Sequence, residues 1–132
     1  MLCWPVMQQL RPHLNASQFL EQVLRPLRDG FHLVGLLEKK HAVAVAGYRF
    51  LENLAWGRFV YVDDLVSLEN ERSKGHGRIL FEWLCEEAKS NGCKRVELDS
   101  GVQRFEAHRF YLREKMVISS HHFSLDLTRR LR

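Results

Sequence analysis

The sequence predicts a mixed α/β fold in one domain spanning residues 1–132, with a mostly antiparallel central sheet flanked by helices. Three observations predict it. Consecutive stretches between residues 31 and 68 are rich in β-branched and aromatic residues and are broken by turn signals. From Gly75 the period changes, and Ile79, Leu80, Trp83, Leu84 and Ala88 recur at helical spacing. Beyond Gly92, strand-like and helix-like segments alternate.

Taken in order, "VMQQLRPHL" and "ASQFLEQVLRPLRDG" read as two short helices, the second capped by Asn15 or Ser17 and ended by Gly30. "FHLVGLLEKK" is an apolar run of strand character. "AVAVAGYRFLENL" alternates small and larger residues, with Gly47 marking a bulge. "WGRFVYVDDLVSL" completes an antiparallel meander, with Trp56-Gly57 as its turn. An amphipathic helix follows, beginning near Gly77 and closed by Gly92 after Asn91. "KRVELDSG" reads as a buried strand, "QRFEAHRFYLRE" as a second long helix and "VISSHHFSLDL" as a last strand.

Composition excludes several classes. With 45% apolar and 27% charged residues, the chain has the make-up of an ordinary globular protein. No apolar run approaches the roughly 20 residues that a membrane span needs, so no membrane partner is expected. The N-terminal "MLCWPVMQQLRPHL" lacks the basic start and unbroken apolar core of a secretory signal, which predicts a cytoplasmic protein. Cys3, Cys85 and Cys93 are odd in number and form no C-x-x-C pair. Cys85 falls on the apolar side of its helix and reads as a reduced, packed thiol. The net charge of +4 favours anionic partners, phosphate-bearing cofactors among them. Apart from Arg129, Arg130 and Arg132 the basic residues are scattered, which argues against nucleic acid. His121 and His122 would point to opposite faces of a strand, and no third ligand is suitably spaced, so no metal is expected.

One loop bears on chemistry. "RSKGHG", Arg72 to Gly77, joins the strand ending near Ser67 to the amphipathic helix. A helix start presents N–H groups without intrahelical partners and about half a positive charge. Glycine lets the backbone approach a ligand closely. A diphosphate site and a plain loop-to-helix turn are both compatible with G-x-G alone. The spacing is not that of a Walker loop, and Leu80 stands where a dinucleotide fingerprint requires a third glycine.

Two segments carry a resemblance. "DDLVSLENERSKGHGRILFEWL" resembles the pyrophosphate-binding segment of the GNAT superfamily of acyl-CoA-dependent N-acetyltransferases, in which R/Q-x-x-G-x-G/A follows the fourth strand and opens the third helix. Arg72, Gly75 and Gly77 match its fixed positions. Downstream, "AHRFYLREKM" resembles the family's A-x-x-x-Y-x-x-x-G-F segment on the fourth helix. The resemblance covers residues 31 to 126. It implies an N-acetyltransferase that uses acetyl-CoA and an amine acceptor, by direct attack in a ternary complex without a metal.

The resemblance also implies roles. Backbone N–H groups from Lys74 through Gly75, His76 and Gly77 to Arg78 would cradle the pyrophosphate, with Arg72, Lys74 and Arg78 adding positive charge. Leu65, Val66 and Ser67 would pair with the pantetheine arm through their main chain and polarise the thioester carbonyl. An alkyl amine with pKa near ~10.4 is almost wholly protonated at neutral pH, so the reaction needs help with its proton. Tyr111 matches the family tyrosine that donates a proton or hydrogen bond to the leaving sulfur. The base is left open. Asp63 and Asp64 interrupt an apolar strand, and alternation sends them to opposite faces. Glu52 and Glu97 are further candidates, and His108 lies three residues before Tyr111 on the same helix side.

The chain departs from the family pattern at three places. Arg104 stands where the family commonly has a cofactor-contacting asparagine, so that contact is altered or made by another group. Lys115 replaces the C-cap glycine, at a cost of about 1 kcal/mol in a left-handed conformation, so a different cap geometry is expected. The family's strand ahead of the first helix is missing from the reading, which leaves a sheet edge open to pairing and predicts a homodimer. A non-catalytic module that binds CoA or acyl-CoA is the alternative that the residues at 104 and 115 keep open. The acceptor amine is not readable.

Overall fold

The computed structural model describes residues 3–10, 12–18, 20–22, 30–68 and 75–129. The chain divides into two compact units, Met1–Leu98 and Asp99–Arg132.

In the first unit α1 (Trp4–Leu10) precedes β1 (Phe31–Glu38), β2 (His41–Asn53) and β3 (Gly57–Ser67), followed by α2 (His76–Ser90) and β4 (Val96–Leu98). The strands form one sheet in the order β1-β2-β3-β4. The first three are antiparallel, and β4 pairs parallel to β3. Residues 16–18 and 20–22 are helical. Asn15 is the cap expected there: its Oδ1 accepts from the Gln18 N–H at 2.8 Å, and Gln18 Oε1 accepts from the Asn15 N–H at 2.9 Å. Gly30 has φ +90°, but residues 23–29 lie outside the described residues.

Each face of the sheet buries a separate cluster. Ala44, Ala46, Tyr48, Val60 and Val62 pack against Leu80, Leu84 and Ala88 of α2. On the other face Ala42, Val45 and Val66 pack against Val6 and Met7 of α1. The small residues of β2 let both helices approach closely. Of the helical stripe read from α2, Leu80, Leu84 and Ala88 are buried as expected, whereas Ile79 and Trp83 are 53% and 40% exposed. Trp83 nonetheless packs edge-on against Tyr48, with ring centroids 6.0 Å apart.

The hairpins are closed by different chemistry. β2 and β3 are joined through Leu54–Trp56, where Asn53 Oδ1 accepts from the Trp56 N–H at 2.7 Å and Gly57 takes φ +68°. β1 and β2 are joined by Lys39 and Lys40 alone, at φ 52° and 67°, between the paired residues Glu38 and His41. Two positive φ values in a two-residue loop define a type I′ turn, here built from lysines rather than Asn-Gly.

The expected bulge is present, but its extra residue lies on the facing strand. Gly47 pairs with Asp64 and Tyr48 with Val62, so β3 carries Asp63 as the additional residue. A Cβ at Gly47 would come within 2.5 Å of the Phe31 ring, so a side chain there would have to displace that ring.

In the second unit, α3 (Phe105–Arg113) ends in a Schellman motif: the Met116 N–H donates to the Tyr111 carbonyl and the Lys115 N–H to that of Leu112, both at 3.1 Å. Lys115 takes φ +72°. The left-handed cap is therefore kept despite the lysine, contrary to the altered geometry expected from the sequence. The last strand read in "VISSHHFSLDL" does not form, and this stretch carries no regular secondary structure. Alternation alone does not make a strand without an edge to pair with, and no strand of this unit offers one among the described residues. Phe123 is accordingly 92% exposed.

Candidate active site

The turn from β3 to α2 begins the site. Gly75 is the N-cap of α2, held at φ +82° and ψ 9°, and no side chain among the described residues caps the helix. Its carbonyl accepts the first helical bond, from the Ile79 N–H at 3.1 Å. A Cβ built on Gly75 would meet nothing within 4 Å, so the glycine serves conformation rather than packing. The N–H groups of a helix's first turn and the dipole behind them are suited to a phosphate.

His76 is turned inward. Its side chain is 8% exposed, and Nε2 lies 3.7 Å from Glu38 Oε2 at the end of β1. What His76 can offer an anion is thus its main-chain N–H. Arg78 reaches along the helix, with Nε 3.1 Å from Glu82 Oε1. Gly77 is partly buried in the first turn. Arg72 and Lys74 lie outside the described residues.

β3 outruns its neighbour. β4 pairs with it through Val60, Tyr61 and Val62 only, ending at Leu98. Over Leu65, Val66 and Ser67 no strand pairs with that edge among the described residues, while the opposite edge is held by Ala46, Val45 and Ala44. Leu65 packs with the α2 cluster and Val66 with the α1 cluster, so their side chains belong to the core. What they can offer a ligand is their main chain.

The bulge corrects the reading of the two aspartates. Alternation predicts opposite faces, but one residue too many in β3 brings both to the same one. Asp64 Oδ2 lies 3.3 Å from where a Gly47 Cβ would stand. Asp63 is gripped by Arg49, two residues along β2 and so on the face of Gly47. That grip is bidentate: Arg49 Nε donates to Oδ2 at 2.9 Å and Nη2 to Oδ1 at 2.7 Å. The guanidinium also lies over the Tyr61 ring, 5.3 Å from its centroid. Hydrogen bonding to Asp63 raises the Arg49 pKa above its already high ordinary value, so the guanidinium stays charged.

The second unit carries the remaining residues. Arg104 is the N-cap of α3, with no side-chain capping bond. His108 Nε2 lies 2.8 Å from the Gly101 carbonyl, which also accepts from the Arg104 N–H at 3.0 Å. A carbonyl only accepts, so Nε2 carries the proton and Nδ1 is the nitrogen able to take one. Tyr111 is partly buried in the last turns of α3, its ring 5.5 Å from that of Phe110. His122 Nδ1 lies 3.3 Å from Asp99 Oδ1.

The sequence model of the Acetyltransferase (GNAT) family matches residues 2–115. The chain belongs to the GNAT acetyltransferase family. Among curated proteins, this GNAT chain is similar to the uncharacterised N-acetyltransferase YhdJ of Bacillus subtilis strain 168, 31% identical over 109 residues that make up 82% of this chain and 77% of that one. It is 38% identical to the aminoalkylphosphonate N-acetyltransferase of Salmonella typhimurium strain LT2 over 66 residues, 50% of this chain and 43% of that one. Among solved structures, the ribosomal-protein-alanine N-acetyltransferase of Brucella melitensis biovar Abortus 2308 shares the fold with a TM-score of 0.81 at 15% identity, over 96% of this chain and 91% of that chain.

Within the first unit of this GNAT chain the structure brings Gly75, His76, Gly77 and Arg78 to the helix start and Leu65, Val66 and Ser67 to a stretch of β3 whose second edge no strand pairs with among the described residues. It brings Asp63 and Asp64 to one face. Two partners were missed from the sequence: Arg49, fourteen positions from Asp63, and Glu38, which meets His76. Neither pairing has a local signal. Only the bulge glycine beside two adjacent aspartates hinted that β3 was out of phase.

Proposed function

We propose that this chain transfers an acetyl group from acetyl-CoA to a primary amine by direct attack in a ternary complex. The observation that carries the reading is the start of α2, opened by Gly75 at positive φ, together with the edge of β3 over Leu65, Val66 and Ser67 that no strand pairs with among the described residues. The first suits the diphosphate of coenzyme A, and the second offers main-chain groups to its extended arm. In the reaction the amine nitrogen bonds to the thioester carbon, the carbon–sulfur bond breaks, the nitrogen loses a proton and the sulfur gains one.

Asp64 serves as the base, directly or through a water. Asp63 is unsuited to that role because both its oxygens are engaged by Arg49; it anchors the wall instead. His108, with Nδ1 as its acceptor atom, is the alternative base. Tyr111 donates to the leaving sulfur. Its ordinary pKa near ~10 keeps it protonated at neutral pH, while a thiolate near ~8.5 would not take the proton outright, so the role is a hydrogen bond with partial transfer. Arg72, Lys74 and Arg78 add charge around the diphosphate, and Arg104 contributes a cation on α3. Self-association through the outer edge of β1 extends the reading, and sedimentation showing only monomer at tens of micromolar would remove it.

Calorimetric titration with acetyl-CoA, with free CoA and NAD as comparisons, tests the core of the proposal. Saturable micromolar binding of both CoA species and none of NAD is the expected result. Absence of CoA binding would overturn it.

A further inference from the structure

Resting on the acetyltransferase reading above, we infer that the acceptor is a primary amine that also carries an acidic group, and that Arg49 receives that group. A guanidinium has five N–H donors arranged as a fork. Asp63 takes one from Nε and one from Nη2, which occupies a single edge of the fork. Both N–H groups of Nη1 and the second of Nη2 have no acceptor among the described residues. The Arg49 side chain is 39% exposed, which leaves part of it open to a ligand.

The guanidinium is also held still. Asp63 fixes it in plane and the Tyr61 ring lies beneath it. Little further conformational freedom is lost when an oxyanion docks, which favours bidentate recognition of a carboxylate or phosphonate. Asp64 stands opposite Gly47, two residues along β2 from Arg49 and on the same face. The two groups thus share one wall of the sheet, where a small molecule with an amine at one end and an acid at the other can meet both.

Charge narrows the class less than geometry does. Asp63 already balances the charge of Arg49, so the guanidinium offers a ligand directed donors more than net charge, and these suit an oxyanion. A simple polyamine has no group to accept from them.

The test is a panel of matched acceptors: β-alanine against its amide, and 2-aminoethylphosphonate against ethanolamine, with kcat/KM measured for each. The acid group raises the basicity of the neighbouring amine, so a preference for the acidic member cannot come from a larger free-base fraction. The expected result is a preference of roughly 10- to 100-fold for the acidic member of at least one pair. The carboxylate and phosphonate arms distinguish which oxyanion is meant. Arg49→Gln should bring that ratio close to one, mainly through KM, and Asp63→Asn, which keeps the guanidinium, should preserve it. Equal use of both members by the wild-type protein overturns the inference and leaves the acetyltransferase reading intact. So does an Arg49→Gln variant that loses activity equally on both, since Arg49 would then act only as an anchor for Asp63. Acetylation of no amine in the panel overturns the enzyme reading, and this inference with it.

Discussion

His76, the first residue of α2, lies with Nε2 3.7 Å from Oε2 of Glu38, the last residue of β1. The imidazole is buried and the carboxylate is half exposed, so the contact is a packed wedge more than an ion pair. It fixes where the helix start points relative to the sheet.

The two substitutions there should therefore differ. His76→Ala is expected to cost about 2 kcal/mol in urea denaturation, because it empties a buried site. Glu38→Gln should cost no more than about 0.5 kcal/mol, as for other solvent-screened pairs. Acetyl-CoA affinity should fall with the first and hold with the second.

Gly75 and Lys115 are opposite cases of one conformation. Gly75→Ala places a Cβ at φ +82° in open space, so its cost of about 1 kcal/mol is conformational. Lys115→Gly removes the same strain and should stabilise the second unit by a similar amount. Replacing Lys39-Lys40 by Asn-Gly should likewise raise stability by about 1 kcal/mol, since the type I′ turn is already formed. Thermal or urea unfolding of the three variants checks the signs.

Tyr111→Phe separates an enzyme from a binding module. If Tyr111 assists the leaving sulfur, kcat should drop about 100-fold while calorimetric affinity for acetyl-CoA barely changes. Unchanged turnover would remove the role.

Tyr48 sets an alkaline limit. Burial, with Glu87 nearby, pushes its hydroxyl above the ordinary 10.0. The fold favours the protonated form, so the contribution is whole below about pH 10 and is lost as pH rises through the folded-state value. Wild-type stability should fall more steeply above about pH 10 than that of Tyr48→Phe, as measured by urea midpoints.

The parts of this molecule that follow local rules were readable in advance. Gly75 stands where a left-handed residue opens α2, and the three antiparallel strands follow from their composition. What escaped was non-local. One additional residue in β3 reverses the alternation on which the opposite placement of Asp63 and Asp64 was based. Arg49 could not be paired with Asp63 without the register of β2 and β3. The lysine turn at 39–40 carries none of the residues that usually announce one. In "VISSHHFSLDL" the alternation was real, but a strand is a property of a pair of chains and no sequence stretch supplies its own partner.

The bulge acts as a frameshift in the pleat. Ahead of it Val60 and Val62 face α2; beyond it Leu65 does, while Val66 faces α1. Positions 63 and 64 can thus change identity without displacing a core side chain, and the chemistry of this wall is free to vary while the packing stays as it is. They cannot be shortened. Deleting either would return β3 to a single phase and exchange the faces of Leu65 and Val66, exposing one hydrophobic cluster to repair the other. Natural or laboratory variation in this wall should therefore be found as substitutions, never as length changes.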